Sequence, residues 1–145
     1  MAKATRTERL EAVRKLDAAL ACQGPACADQ VAPLGLKVQV QQILGSLKFE
    51  LESGPMRKEF RPLRDATLAD ISTTESAAEA YDGCKRGSDE QARDEWFGQR
   101  GGPGGRENIE RRRAAAACGA QYNAYLDRMR ALKARILEWG RHDES

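Results

Sequence analysis

The sequence predicts an all-α fold, a bundle of about five to six helices with a long C-terminal helix. Alanine supplies 23 of the 145 residues while Val and Ile are scarce, so helix formers outweigh the branched side chains that favour strands. Toward the C-terminus, apolar residues recur at alternating steps of three and four, which is typical of one face of a long helix. This apolar stripe comprises Ala115, Cys118, Tyr122, Tyr125, Met129, Leu132, Ile136 and Trp139.

The first third of the chain predicts two helices. Thr5 and Glu8 have the spacing of a capping box, and the first helix should end near Gly24. The second helix is predicted over residues 37–53 and should end at Gly54. Their apolar positions are Leu10, Val13, Leu16 and Leu20 in the first helix, and Val40, Leu44, Leu47 and Leu51 in the second, with Ile43 beside them.

The middle of the chain predicts three shorter helical segments. The first, residues 60–68, should be broken or restarted at Pro62. The second is an Ala-rich helix that ends at Gly87, and the third leads into a glycine-rich loop. Each of the last two opens on a serine with capping-box spacing. The capping pairs are Ser72 with Glu75 and Ser88 with Gln91, and the third segment carries Ala92, Trp96 and Phe97.

Residues 98–105 contain five glycines and a proline, which predict a flexible loop within a single helical domain of residues 1–145. The last helix is then predicted from Glu107 to about Arg141, on the order of 50 Å at 1.5 Å per residue. A helix of this length must pack on the earlier helices or on another chain. Because two tyrosine hydroxyls on the stripe need polar partners, we predict a protein interface there. Its residues are Tyr122, Tyr125, Met129, Leu132, Ile136 and Trp139.

Charge does not select a class of partner. The 24 basic and 22 acidic side chains nearly cancel, so the field of the whole molecule is too weak to favour a polyanion. A local basic cluster opens the last predicted helix, but interleaved glutamates and the lack of stacking aromatic residues favour a solvated face over nucleic-acid binding. This cluster consists of Arg106, Arg111, Arg112 and Arg113.

The N-terminal residues have no apolar run typical of a secretory signal. No segment approaches the roughly 20 apolar residues of a membrane span. We therefore predict a soluble protein that is synthesised in the cytoplasm. The glycine-rich loop lacks the Gly-Lys-Ser/Thr ending of a phosphate-binding loop, so no cofactor is indicated.

The four cysteines favour structural roles. Two disulfides, Cys22 with Cys27 and Cys84 with Cys118, are geometrically plausible, and reduced cysteines packed in the core are the alternative. Zinc binding is disfavoured because only one closely spaced pair exists and the sole histidine, His142, lies in the tail. No metal site is therefore predicted. A catalytic thiol is also disfavoured, since no histidine is positioned to activate one.

Two carboxylates near the end of the second predicted helix are candidates for acid catalysis. Glu50 and Glu52 are two residues apart, so they point to different faces and do not form a glycosidase pair by themselves. Surface charge is the favoured interpretation. If either residue is catalytic, Glu52 is preferred because the following Ser-Gly would leave it at a helix end facing a cleft.

Four short stretches between residues 36 and 120 carry a family resemblance. They are Val-Gln-Val-Gln-Gln-Ile-Leu-Gly-Ser-Leu-Lys-Phe-Glu-Leu-Glu-Ser-Gly at 38–54, Phe-Arg-Pro-Leu-Arg-Asp-Ala at 60–66, Thr-Thr-Glu-Ser-Ala-Ala-Glu-Ala-Tyr at 73–81 and Arg-Arg-Arg-Ala-Ala at 111–115. In this order they resemble four helices of the C-terminal lobe of bacteriophage tail-associated lysozyme-like domains. The resemblance implies a helical lobe of phage or prophage origin that associates with a virion.

The chain also departs from that family. Its enzymes carry their catalytic glutamate and a Gly-Ile-x-Gln-Trp-like segment upstream of this lobe, and residues 1–35 contain neither. A Tyr-Glu-Arg-Pro-like stretch is replaced by Tyr-Asp-Gly-Cys at 81–84. The resemblance therefore implies a lobe that has lost its active site or docks with another subunit. A different register, with two extra residues, makes 43–46 and 52–54 the catalytic-helix motif and Glu52 the acid.

Three hypotheses for function follow. The leading one is a non-enzymatic structural or protein-interaction subunit of phage or prophage origin, which binds a protein partner or a second copy through the apolar stripe. The first alternative is a small lysozyme-like peptidoglycan hydrolase that uses Glu52. The second alternative is a helical inhibitor or adaptor that binds a host protein, with its arginine cluster on an acidic surface.

Overall fold

The computed structural model describes residues 3–21, 27, 32, 34–97 and 118–143, and all regular structure within these ranges is helical. The predicted all-α class is confirmed. A turn of 3₁₀ helix, Lys58–Phe60, precedes the longest helix, and a four-residue helix, α5 (Gly140–Asp143), ends the described chain. The long helices are α1 (Lys3–Ala21), α2 (Leu36–Ser53), α3 (Arg61–Phe97) and α4 (Gly119–Glu138).

The helix bounds agree with the prediction for the second helix and differ for the first helix and for the middle of the chain. The second predicted helix matches α2 to within one residue. Helix α1 begins at Lys3, so Thr5, the predicted N-terminal cap, lies inside it. The predicted loop at 98–105 and the predicted start of the last helix at Glu107 lie outside the described residues. Among the described residues, the last long helix is the 20-residue α4, which begins at Gly119, so the predicted long C-terminal helix is not confirmed.

The three segments predicted for the middle of the chain are one continuous helix of 37 residues, α3. Pro62 lies in its first turn, where a missing N–H removes no intrahelical hydrogen bond. Ser72 begins no new helix, since α3 is continuous through it. The neighbouring hydroxyls of Thr73 and Thr74 donate to carbonyls four residues earlier, at 2.8 and 2.7 Å, as they do inside a helix. Gly87 stays helical at a cost of about 1 kcal/mol relative to alanine. The described residues thus form four long helices and the short α5, and the predicted count of five to six is not confirmed.

The start of α2 is capped by a side chain from another helix. Gly35 has φ +106°, a left-handed conformation that L side chains rarely adopt, and it turns the chain into the helix. The carboxylate of Asp82 on α3 then accepts hydrogen bonds from the backbone N–H groups of Leu36, at 2.8 Å, and Lys37, at 3.0 Å. These groups have no intrahelical acceptor, so Asp82 joins the two helices at this end.

The long helices form an antiparallel four-helix bundle in which each helix packs on the next and α4 closes the ring on α1. Contacts between distant residues fix the directions, because early residues of one helix meet late residues of its neighbour. These contacts are Lys37 with Glu79 and Lys48 with Glu75 between α2 and α3, Asp70 with Arg135 between α3 and α4, and Arg9 with Trp139 between α1 and the end of α4.

The core lies along the bundle axis and contains the predicted apolar positions of α2, from Val40 to Leu51, at full burial. Helix α1 differs from its predicted pattern. Leu16 is buried as expected, but Leu10 is 61% exposed. The buried row of α1 is Arg9, Ala12, Leu16 and Ala19. The two small alanines in this row allow the neighbouring helices to approach closely. The orientation of α1 that buries this row leaves Leu10 facing solvent.

Candidate interaction site

The residues predicted as an intermolecular interface lie in the core of their own chain. Met129, Leu132 and Trp139 are completely buried, and the other three are nearly so. They pack on α1, α2 and α3. Packing within one chain therefore accounts for the apolar stripe. An intermolecular role for it stays a prediction, and that role would require the bundle to open. The six residues are Tyr122, Tyr125, Met129, Leu132, Ile136 and Trp139.

Hydrogen bonds hold the polar atoms of this stripe in place. The indole Nε1–H of Trp139 donates to Oγ1 of Thr67 at 2.9 Å, and the Thr67 hydroxyl donates to the carbonyl of Leu63 at 2.7 Å. The hydroxyl of Tyr125 donates to Oε1 of Gln39 at 2.8 Å. Because these groups are paired inside the bundle, burying them leaves no unsatisfied donor. The stripe is therefore part of the core, and hydrogen bonds fix the positions of its Trp139 and Tyr125 side chains.

Tyrosine rings from α3 and α4 contact one another near the end of the bundle where Asp82 caps α2. The ring centroids of Tyr81 and Tyr122 are 5.6 Å apart, and those of Tyr122 and Tyr125 are 6.3 Å apart. Burial raises the pKa of Tyr122 above its usual value. Burial also raises the pKa of Tyr125, and the neighbouring Tyr122 and Asp82 raise it further because they disfavour another negative charge. Both hydroxyls therefore stay protonated well above neutral pH.

One of the two predicted disulfides is present. Cys84 of α3 is bonded to Cys118, the residue that precedes α4, with 5.9 Å between their Cα atoms. Cys118 is completely buried. The predicted pairing of Cys22 with Cys27 involves Cys22, which lies outside the described residues. The Cys84–Cys118 bond ties α4 to α3 at the end of the bundle where Asp82 caps α2.

The structure brings no catalytic partner to Glu52 among the residues it describes. Glu52 is exposed in the last turn of α2, and Glu50 is half-buried one position before Leu51. No group of three or more His, Cys, Asp or Glu side chains suited to a metal ion occurs in the described ranges. The predicted basic cluster of Arg106, Arg111, Arg112 and Arg113 lies outside those ranges. For Trp96 and Phe97 the structure describes the helical backbone only.

A groove with exposed apolar side chains lies between α1 and the end of α4. Its cavity volume is about 210 Å³. Leu10 and Leu137 flank it and are 61% and 53% exposed. A Cβ atom added at Gly140 would meet nothing within 4 Å, so one side of the groove is open. The described residues that line this α1–α4 groove are Arg6, Arg9, Leu10, Val13, Ile136, Leu137 and Gly140.

Two guanidinium groups give the groove positive charge. Arg6 is exposed on its lining. The guanidinium carbon of Arg9 lies 5.8 Å from the ring centroid of Trp139, a cation–π contact that holds the largely buried Arg9 side chain in place. The aromatic cluster continues from Trp139 to Phe60, with 6.3 Å between ring centroids. This cluster brings the Lys58–Phe60 turn to the same end of the bundle.

More basic side chains surround this end, which we call the basic end. The ring of His142 contacts Phe60 edge-on at 5.5 Å between centroids, which places α5 beside the turn before α3. Four exposed cations here form no ion pair with any described residue, although Arg57 and Glu59 form an ion pair on either side of Lys58. They are Arg6, Lys58, Arg61 and Arg141.

Sequence reasoning did not single out this groove. It assigned Leu10 to the buried row of the first helix and did not consider Arg6 or Arg9. The available signal was the i, i+3, i+7 spacing of Arg9, Ala12 and Leu16, which competes with the chosen row. A row that begins with an arginine is not recognised as the apolar face of a helix, although the aliphatic part of an arginine side chain packs well against a tryptophan.

Comparison of the chain with protein-family models, with curated proteins and with solved structures finds no match. Within the described ranges, no helix has both the length and the apolar character needed to cross a membrane.

Proposed function

We propose that this chain is a non-enzymatic helical protein-interaction module that binds another protein through the α1–α4 groove. The observation that carries the proposal is the exposure of Leu10 and Leu137 on either side of a recess, although both helices bury other apolar side chains completely. Full burial of a leucine is worth roughly 1.5–3 kcal/mol, so covering two half-exposed leucines would favour association by about the value for one.

The proposal keeps the phage or prophage setting that the resemblance implies. A helical subunit of a virion, or an adaptor that binds a host protein, would both use an exposed groove of this kind. In this proposal the α1–α4 groove, and not the apolar stripe, is the binding surface, because the residues of the stripe are buried within one chain. The support for this choice is the exposure of the groove residues.

Site-specific photocrosslinking tests the proposal. Benzoylphenylalanine would replace Leu137 at the groove and, in the control protein, Arg128 on the exposed face of the same helix. On irradiation of cells that produce the protein, we expect a discrete protein adduct from position 137 and none from position 128. The absence of an adduct at 137, or equal adducts at both positions, would contradict a binding role for the groove.

The hydrolase alternative needs its own assay. Purified wild-type protein and Glu52→Gln are compared for clearing of a peptidoglycan suspension. The proposal expects no clearing by either protein. Clearing by the wild type that is lost in Glu52→Gln would establish the lysozyme-like alternative and refute the non-enzymatic function.

A further inference from the structure

The α1–α4 groove also indicates the chemistry of its partner. On the basis of the proposed protein-binding function, we infer that the groove receives an acidic amphipathic helix from a different protein. Three features of the described residues support this inference: the backbone surroundings of the groove, the spacing of its apolar residues and the sign of its charge.

The backbone surroundings favour a helical ligand. The groove runs between two antiparallel helices whose backbone groups are largely paired within each helix. The described residues contain no strand, so an extended segment finds no sheet edge for main-chain hydrogen bonds. A helix suits this groove because its backbone groups are already paired. Helices pack at about 8–10 Å between axes, and the open space at Gly140 permits such an approach.

The apolar residues of the groove fit the repeat of a helix face. Leu10 and Val13 lie one turn apart on α1, and Leu137 faces them across the recess from α4. An amphipathic helix presents apolar anchors at positions i, i+3 or i+4, and i+7. Two or three such anchors on one ligand helix would cover Leu10 and Leu137 together.

The charge of the groove favours acidic residues beside those anchors. The described lining contains Arg6 and Arg9 and no carboxylate. Arg141, which is exposed, directly follows the lining residue Gly140 in the chain. Glutamate or aspartate side chains on the flanks of the ligand helix would lie near Arg6, the exposed guanidinium of the lining, and form charge-assisted hydrogen bonds with it.

Carboxylates near the groove are engaged within the chain. Glu138 accepts a hydrogen bond from Arg135 at 3.2 Å, and Asp17 forms an ion pair with Lys133. Neither residue lines the groove. They therefore do not cancel the positive field that a ligand would meet there.

Other occupants fit these observations less well. A second copy of the chain, related by a two-fold axis through the groove, would place Arg6 and Arg141 near their own counterparts, and like charges oppose that arrangement. A membrane surface favours apolar side chains on a convex face, whereas Val13 and Ile136 lie in a recess. A helix from a different protein meets neither objection.

A designed peptide pair tests the inference on the full chain. The acidic probe is a helix of about 18 residues, roughly 27 Å long, with leucines on one face and glutamates on both flanks. Its twin carries lysine at every glutamate position. Fluorescence anisotropy of each labelled peptide is measured with the wild type, with Gly140→Trp, which fills the groove, and with Gly83→Trp. Gly83 is the matched control because a Cβ there also meets nothing within 4 Å, on a different helix.

We expect the acidic probe to bind the wild type at least about tenfold more tightly than the basic twin, and to weaken when salt screens the arginines. Gly140→Trp should abolish this binding and Gly83→Trp should preserve it. Arg6→Glu should weaken binding of the acidic probe by about tenfold, whereas Arg128→Glu, on the exposed face of α4, should change it by less than about twofold.

Equal binding of the two peptides, or no binding of the acidic probe at about 1 mM, would overturn the inference. So would sedimentation with phosphatidylglycerol vesicles that Gly140→Trp removes, or a position-137 photoadduct of two copies of the chain. A position-137 adduct with another protein, together with failure of the acidic probe, would leave the proposed function intact and refute only the acidic-helix partner. The absence of every adduct would refute both.

Discussion

Helix α4 is held by its two neighbours in different ways. On the α3 side it has a disulfide, an indole hydrogen bond to Thr67 and an ion pair between Arg135 and Asp70 at 2.9 Å, which raises the pKa of Arg135. On the α1 side it has a surface ion pair and the Arg9–Trp139 contact, and it leaves leucines exposed. The α3 side thus carries the stronger links, and the α1 side leaves apolar surface exposed.

Opposite faces at the end of α4 should give the largest contrast in stability. Trp139→Ala removes a completely buried ring, and we expect it to lower the free energy of unfolding by about 3–5 kcal/mol. Leu137→Ala, at the groove, should change it by less than about 0.5 kcal/mol because Leu137 is half-exposed. Urea denaturation measures both. Similar losses in the two variants would break the comparison.

The links on the two sides of α4 should also differ. Cys84 and Cys118 close a loop with a sequence separation of 34, and replacing both with alanine should cost about 3–4 kcal/mol through the unfolded chain. Replacing Asp17 and Lys133 with alanine on the α1 side should cost less than about 1 kcal/mol, as for other exposed ion pairs. Thermal unfolding of both double variants measures the difference. An equal cost would show that α1 and α3 hold α4 equally firmly.

Substitutions of two buried threonines of α3 measure how much the indole hydrogen bond contributes to stability. Thr67→Val removes the acceptor of Trp139 Nε1, and leaving that buried donor unpaired should cost about 1–3 kcal/mol. Thr74→Val is the matched control, because Thr74 is equally buried but its hydroxyl bonds only to a carbonyl of its own helix. It should cost less than about 1 kcal/mol. Equal costs, measured by urea denaturation, would assign no stability to the hydrogen bond.

The tyrosines on the α3 side make stability depend on alkaline pH. The pKa of Tyr125 is raised above 10.0, its value in the unfolded chain, so above about pH 10 the unfolded state loses a proton that the folded state keeps. Stability is therefore complete below pH 10 and falls above it, by up to about 1.4 kcal/mol per pH unit from this residue.

Tyr125→Phe provides the control for this pH dependence. The variant loses the hydrogen bond to Gln39 at every pH, so its stability should be lower at neutral pH but should fall less steeply above pH 10. Urea midpoints at a series of pH values separate the constant cost from the slope. An identical slope in the two proteins would show that Tyr125 does not control the alkaline transition.

Much of the fold was predictable because helix faces are local. The apolar positions of α2 repeat within 18 residues, and Gly35 and Gly54 border it, so both bounds follow from nearby residues. The middle of the chain was not predictable in the same way. Capping-box spacing around Ser72 occurs inside α3, since a serine or threonine hydroxyl bonds equally well to its own helix.

The candidate site was largely beyond sequence analysis. The stripe that ends at Trp139 was recognised, but its pattern does not distinguish packing within one chain from packing between chains. Asp82, which caps α2 from 46 residues away, has no local signal either. The Cys84–Cys118 pair was one plausible pairing, and the approach of α3 and α4 decided it.

The sequence by itself determined the all-α class, the bounds of α2 and the buried face of α4, because these depend on helix propensity and on a repeat of 3.6 residues. Only the tertiary structure decided that this face is internal, that Leu10 is exposed and that Arg6 borders a groove with Gly140. The physical reason is that the shape of a groove depends on the distance between two helices and on their rotation about their axes. Here the two helices contribute residues that lie more than 120 positions apart in the chain.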